Sequence, residues 1–265
     1  MGVVGEYMCD RTSGTRHAIV IDPADQTPEI AANRALAAAH AGSSMILVGG
    51  STDTDMDNVH ATIVAIKEAL ELVTWAASQD SDIDGKSGQI PVVLFPQGAA
   101  ALSPAADGIT FMMLMNSMDQ RFLIGEQVKG APFVKKAGIE PVSMGYLICE
   151  PGGMAGQVGK ADLIAPDQTE RVEAYAMAAQ FLGFSLFYLE AGSGAEYPVN
   201  PALIKAARKS CEIPIIVGGG IRDPLAARAA AEAGADWIIT GNITEEYDDA
   251  SELQAVLSDL ISGIV

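Results

Sequence analysis

Two carboxylates stand where apolar runs stop: Asp22 directly after His17–Ile21, and Glu190 directly after Ser185–Leu189. A carboxylate at the edge of an apolar element needs a metal, a cation or a proton to transfer. Asp22 and the hydroxyl of Ser51, which closely follows the run Met45–Val48, offer hard oxygens suited to Mg2+. That ion accepts one or two protein oxygens and fills its remaining positions with water and substrate phosphates. Glu190 suits binding or deprotonating a hydroxyl. Either acid can also simply cap the loop that follows it. Glycines cluster after two later runs, as Gly218-Gly219-Gly220 and as Gly241-Asn242. Glycine lets backbone N–H groups approach phosphate oxygens, and a helix starting just beyond adds favourable partial charge. The same glycines also suit any tight strand-to-helix turn.

Other apparent motifs fail on spacing. Gly152–Lys160 looks like a phosphate-binding P-loop, but its glycines are misplaced and Ala161 stands where Ser or Thr is required. Asp53, Asp55 and Asp57 imitate a calcium loop until Asn58 replaces its glycine and Val64 its closing glutamate. Asp248-Asp249 resembles an acidic diphosphate motif, yet it opens the last helix, where acids suit the dipole. His17, His40 and His60 show neither metal-ligand spacing nor a triad partner, and none is a catalytic candidate. The run Phe111–Met115, with Met118 nearby, reads as core, with an outer end suited to lining a groove for a long hydrocarbon.

Eight apolar, β-branched runs must position these residues: His17–Ile21, Met45–Val48, Val92–Phe95, Ile109–Met112, Met144–Ile148, Ser185–Leu189, Ile213–Val217 and Trp237–Thr240. Their apolarity is continuous rather than alternating, as expected for parallel strands buried on both faces. Thr27-Pro28, Asn200-Pro201 and Asp223-Pro224 read as helix N-caps followed by proline at the first helical position. Gly42, Gly183 and Gly234 read as helix stops. Val59, Ile63, Ile66, Leu70 and Val73 form an apolar stripe at helical spacing. The expected fold is a (β/α)8 TIM barrel forming one domain over residues 1–265, with a polar surface insertion at 78–89. No G-x-G-x-x-G follows the first run, which disfavours a doubly wound sheet. Pro96–Gly108 is too short and too proline-rich for a crossover helix, so the third helix is expected to be missing.

The composition narrows the function. Sixteen basic against 34 acidic residues give a formal charge of −18, which disfavours nucleic acid as a partner. The acidity reads as a solvated surface. Three cysteines without pair spacing fit a reducing compartment, and the N-terminus lacks the order of a signal peptide, so a cytoplasmic location is expected.

IDPADQTPE (21–29), VGGST (48–52), VVLFP (92–96), MNS (115–117), GYLICEPGG (145–153), YLEAGSG (188–194), VGGGIR (217–222) and TGN (240–242) occur in that order along the chain. Together they resemble the geranylgeranylglyceryl phosphate synthases, TIM-barrel phosphoglycerol prenyltransferases of archaeal ether-lipid synthesis. The resemblance implies transfer of a prenyl group from geranylgeranyl diphosphate to the 3-hydroxyl of sn-glycerol 1-phosphate, with Mg2+. It places the metal at Asp22 and Ser51. It places glycerol phosphate at Tyr188, Leu189, Glu190, Ala191, Gly192, Ser193 and Gly194, with Gly219, Gly220, Gly241 and Asn242 completing the site. Glu190 would be catalytic, holding the glycerol hydroxyls and assisting proton removal. The resemblance also implies a barrel without a standard third helix and a homo-oligomer, dimer or hexamer. A lipid product further implies transient contact with a membrane surface.

Three features depart from the family pattern: Gln97-Gly98 after Pro96, Asp25 in a place often held by lysine, and the 78–89 insertion. Three other readings compete with the leading one. They are a relative using a longer prenyl diphosphate (a heptaprenylglyceryl phosphate synthase), another phosphate-binding TIM-barrel enzyme such as a thiamin phosphate synthase, and a non-catalytic phosphate-binding barrel.

Overall fold

A computed structural model describes residues 1–79 and 90–264. Eight parallel strands close into a barrel in sequence order, with β1 pairing both β2 and β8. They are β1 (Arg16–Ile21), β2 (Met45–Val48), β3 (Val92–Leu94), β4 (Gly108–Leu114), β5 (Glu140–Ile148), β6 (Leu186–Glu190), β7 (Ile215–Gly218) and β8 (Trp237–Thr240). The expected (β/α)8 barrel is the observed fold. The strands are apolar throughout because each has two buried faces. Met144, Tyr146, Ile148 and Tyr188 fill the interior, while Leu147, Leu189 and Val217 pack outward under the helices.

The expected caps form. Thr27 accepts from Ile30 N–H (3.4 Å) at the start of α2 (Pro28–Ala41), and Asn200 accepts from Ala202 N–H (2.9 Å) at α7 (Pro201–Ser210). Asp223 accepts from Leu225 and Ala226 N–H (both 2.9 Å) at α8 (Pro224–Glu232). Along α3 (Met56–Gln79) the stripe residues Val59, Ile63, Ile66 and Leu70 are buried, but Val73 is 37% exposed, so the buried stripe ends one turn early. Because α3 continues through Gln79, the polar segment read at 78–89 begins as helix; residues 80–89 lie outside the described residues.

No helix forms between β3 and β4, in agreement with the short proline-rich stretch there. α3 holds that segment instead. His60 shares a hydrogen bond with Ser103 (2.9 Å), and Lys67 reaches the Ala105 carbonyl (3.1 Å) and the Asp107 carboxylate (2.6 Å). The helical layer resumes with a π-turn (Arg121–Gly125) and α4 (Glu126–Ala137), followed by α5 (Gly153–Val158), α6 (Thr169–Phe181) and, after β8, α9 (Ala250–Ser262).

Sequence reasoning did not anticipate α1 (Val3–Cys9), which closes the N-terminal end of the barrel. The Glu140 carboxylate accepts from the N–H groups of Gly2 (2.6 Å), Val4 (2.9 Å) and Gly5 (3.0 Å), satisfying donors that a helix start leaves free. Arg16 stacks over Trp237 at 4.0 Å and donates to the Tyr7 carbonyl (2.9 Å), while the Trp237 indole donates to Met8 (2.9 Å). His17 shares hydrogen bonds with Ser43 (2.9 Å) and Thr240 (3.0 Å), and burial pushes its pKa down to about 3. It is a neutral core group.

Candidate active site

A cleft of about 1380 Å3, measured out to its open mouth, lies at the C-terminal ends of the strands. One wall is polar, with Asp22, Ser51, Glu190, Ser193, Asn242 and Glu245. The other wall is apolar, with Leu102, Phe111, Met112, Phe122, Gly130 and Val134, and it runs into the gap left by the missing helix. The methionine run is divided here: Phe111, Met112 and Leu114 line the cleft, Met115 packs in the outer layer, and Met118 is exposed.

Glu190 is the last residue of β6 and shares the inward face with Tyr188, two positions earlier. It is buried. The Tyr188 hydroxyl donates to one carboxylate oxygen, and Gly192 N–H donates to the other at 2.6 Å. Burial raises the Glu190 pKa above its ordinary value, and those two donors only partly offset it. Tyr146 and Phe95 pack around Tyr188 with ring centroids 5.0 and 6.0 Å away, forming a rigid apolar floor. The glycines at the end of β7 and just after it have a packing role. A Cβ on Gly218 would fall 2.2 Å from the Tyr188 hydroxyl, and one on Gly219 would fall 2.3 Å from Glu190. The Glu190–Tyr188 pair therefore requires both glycines.

Leu189 and Ala191 sit differently from the other residues of their segment. Strand alternation turns both side chains into the outer core, where each is fully buried. The Ala191 N–H is spent on Gly218 (2.9 Å), and its carbonyl accepts from Gly152 (2.8 Å). Neither side chain reaches the cleft, and each packs beneath the segment that carries Tyr188, Glu190 and Ser193. Ser193 does line the cleft. Gly219, Gly220, Gly241 and Asn242, together with Arg222, border a small adjoining glycine-rich recess, whose last residues open the 3-10 turn Asn242–Thr244. The Asn242 amide accepts from Gly194 N–H (2.8 Å) and donates to Glu245 (3.2 Å), tying the loop after β6 to the one after β8.

Asp22 stands across the mouth, directly after β1. Burial pushes its pKa up to about 6; Ala24 N–H at 2.9 Å works against this, and Asp25, Glu245 and Asp53 add repulsion. A Cβ on Gly50 would fall 1.9 Å from the Asp22 carboxylate, so the chain leading to Ser51 passes directly against it. Among the described residues, the cleft lining contains no Lys, Arg or His. An anionic diphosphate placed beside Asp22 and Glu245 would meet negative side chains with no cation in the cleft lining to offset them. A divalent cation removes that conflict, and these oxygen donors suit Mg2+. Among the described residues no group of three or more His, Cys, Asp or Glu forms a cage, so such an ion would need water and substrate for most of its shell.

The rejected motifs have structural roles. Lys160 pairs with Asp119 at 2.8 Å, Asp55 caps α3 through Asp57 and Asn58 N–H (2.8 and 2.9 Å), and Asp249 caps α9 through Ser251 N–H (2.7 Å). Sequence reasoning missed Tyr146, Glu245 and Glu126. Glu126 accepts from Ala99 N–H (2.8 Å) and pairs with Arg121 (2.7 Å) and Lys129 (3.1 Å). Burial opposes its ionisation, but these partners win and hold its pKa at about 2. Only the spacing of Glu245, three residues beyond Asn242, offered any signal in the sequence.

A closed barrel with a buried carboxylate–tyrosine pair, a glycine-rich recess and a facing acid defines an enzyme of the phosphate-substrate barrel type. Residues 10–259 match the PcrB family, and the chain belongs to it. It is similar to the geranylgeranylglyceryl phosphate synthase of Methanosarcina barkeri, 44% identical over 95% of this chain and 94% of that protein. It is also 42% identical to the enzyme of that name from Methanococcoides burtonii, over 98% of each. The solved structure of the Thermoplasma acidophilum enzyme in complex with its substrate sn-glycerol-1-phosphate superimposes with a TM-score of 0.88 at 39% identity, covering 100% of this chain and 99% of that one. A thiamine phosphate pyrophosphorylase from Pyrococcus furiosus, 12% identical with a TM-score of 0.55, shares the fold alone. The chain is an enzyme, a prenyltransferase. Among the described residues no helix is long and apolar enough to cross a membrane.

Proposed function

We propose that the protein joins geranylgeranyl diphosphate to the 3-hydroxyl of sn-glycerol 1-phosphate in the cytoplasm, with Mg2+, forming an ether and releasing diphosphate. One observation carries this reading. A single cleft holds the Glu190–Tyr188 pair between a glycine-rich recess and an apolar groove, with Asp22 at the mouth. The recess suits the glycerol phosphate, whose phosphate would accept from backbone N–H groups around Gly219, Gly220 and Asn242. The apolar wall suits the prenyl chain.

The Glu190 carboxylate is positioned to accept the hydroxyl proton as the hydroxyl oxygen bonds to the first prenyl carbon and the carbon–diphosphate bond breaks. Its raised pKa makes it a better proton acceptor once ionised. Tyr188 and Gly192 N–H hold the carboxylate in one orientation. Mg2+ held by Asp22 and Ser51 would neutralise charge developing on the leaving diphosphate. Holding two substrates side by side contributes roughly 7–11 kcal/mol in favourable cases.

The test is product analysis with C15, C20 and C35 prenyl diphosphates, against sn-glycerol 1-phosphate and its 3-phosphate enantiomer, with and without Mg2+. Ether formation from the C20 diphosphate and the 1-phosphate, lost on chelation, is expected. Exclusive use of the C35 diphosphate, or no prenyl transfer to either glycerol phosphate, would overturn the assignment.

A further inference from the structure

The outer edge of the apolar wall carries an unusual patch. Met118, Ile124 and Val128 are 78%, 43% and 65% exposed, yet none of them lines the cleft. Their immediate neighbours Phe122, Glu126 and Gln127 do line it. Ile124 and Val128 are four residues apart across the π-turn and α4, which brings them to about the same helix face. Met118 joins them from the β4 side, its N–H donating to the Lys160 carbonyl at 3.0 Å.

The charge there is equally unusual. In a chain of formal charge −18, this rim gathers the well-exposed cations Arg121, Lys129 and Lys160. Their partners are two acids, Glu126 and Asp119, so the rim carries a small positive excess. Long basic side chains around exposed aliphatic groups match the two layers of a lipid surface: phosphate headgroups outside, hydrocarbon beneath. The acidity of the chain as a whole works against an approach to anionic lipid that lacks such a local excess.

We propose that this rim is a docking face for a phospholipid bilayer, seating the open end of the groove against the membrane so that a prenyl chain passes between lipid and protein without crossing water. The proposal rests on the reading that the groove takes a prenyl chain, but the docking itself is measured without substrate.

Flotation with vesicles of equal parts phosphatidylcholine and phosphatidylglycerol tests it, using the full chain. Wild-type protein is expected to float with the vesicles. An Ile124→Gln/Val128→Gln double variant, unchanged in charge and no poorer in helix propensity, should lose about tenfold or more in bound fraction, since two exposed aliphatic side chains that the bilayer would bury are replaced. Phe181→Gln serves as the control, because Phe181 is 80% exposed at the far end of α6. It should float like wild type, and all three proteins should keep equal turnover with detergent-dispersed substrate. Wild-type protein that stays unbound, or equal losses in both variants, overturns the docking face. So does a change of oligomeric state in the double variant on sedimentation, which would make the patch a contact between copies. Normal flotation without prenyl transfer would instead sink the proposed reaction and leave the docking face standing.

Discussion

Replacing Asp22 by Asn should make the metal-free protein more stable while removing its use of Mg2+. The isosteric amide can still accept from Ala24 N–H and fits against Gly50. What it removes is the cost of an ionised carboxylate whose pKa burial has lifted from 3.8 to about 6. At about 1.4 kcal/mol per pH unit that rise corresponds to about 3 kcal/mol. The side chain is only half-buried, and solvent screening reduces the gain to about 1–1.5 kcal/mol. The sign follows from linkage. The folded protein binds the Asp22 proton more tightly than the unfolded chain, so ionisation costs nothing below about pH 3.8 and its full amount above about pH 6. Urea unfolding in metal-free buffer should therefore favour the variant at about pH 7, by about half as much at about pH 5, with a melting shift of about 3 °C at the higher pH. Mg2+ with inorganic pyrophosphate should then raise the wild-type midpoint and leave the variant's unchanged. A variant less stable than wild type at pH 7, or a gain independent of pH, would refute the account of Asp22 as a strained, cation-seeking carboxylate.

The remaining expectations concern the cleft. Glu190→Gln should fold normally and lose about 10²–10⁴ in kcat, the range for a missing general base, in steady-state prenyl transfer. Tyr188→Phe withdraws a donor that favours ionised Glu190, so the acidic limb of the kcat/KM–pH profile should move to higher pH; a profile that stays in place would contradict the pairing. Gly130→Phe projects a ring toward Leu102 and Ala99, whose side chains would lie 3.5 and 3.6 Å from the added Cβ. It should depress use of C20 diphosphate far more than C10 diphosphate in a competition assay.

The strands were legible because burial on both faces leaves continuous apolar runs, and the caps because Thr-Pro, Asn-Pro and Asp-Pro act locally. The missing helix was legible for the same kind of reason: Pro96–Gly108 is simply too short. Strand ends were less so. β5 begins at Glu140, four residues before the expected Met144, because pairing with β4 extends it through Pro141 and Val142. Asp22 and Glu190 stood out as charges ending apolar strands. Leu189 and Ala191 entered the expected site through the resemblance of the whole segment 188–194, and strand alternation turns their side chains to the other face. The lock between Glu140 and α1, and the Asn242 bridge to Gly194, join residues 135 and 48 positions apart respectively. No local pattern announces contacts at that separation.

The gap between β3 and β4 also changes what counts as part of the fold. Every other crossover covers its barrel strands with a helix of the chain, but here the cover over the outer face of β4, at Phe111, is unfinished. On the proposed reaction, the hydrocarbon of the substrate completes that layer, standing in for a helix the polypeptide does not supply. Occupancy and stability are then one quantity. Prenyl alcohols of increasing length, with no diphosphate and no turnover, should raise the melting midpoint in steps, each methylene buried contributing up to about 0.8 kcal/mol. The length at which the steps stop measures the groove with a thermometer.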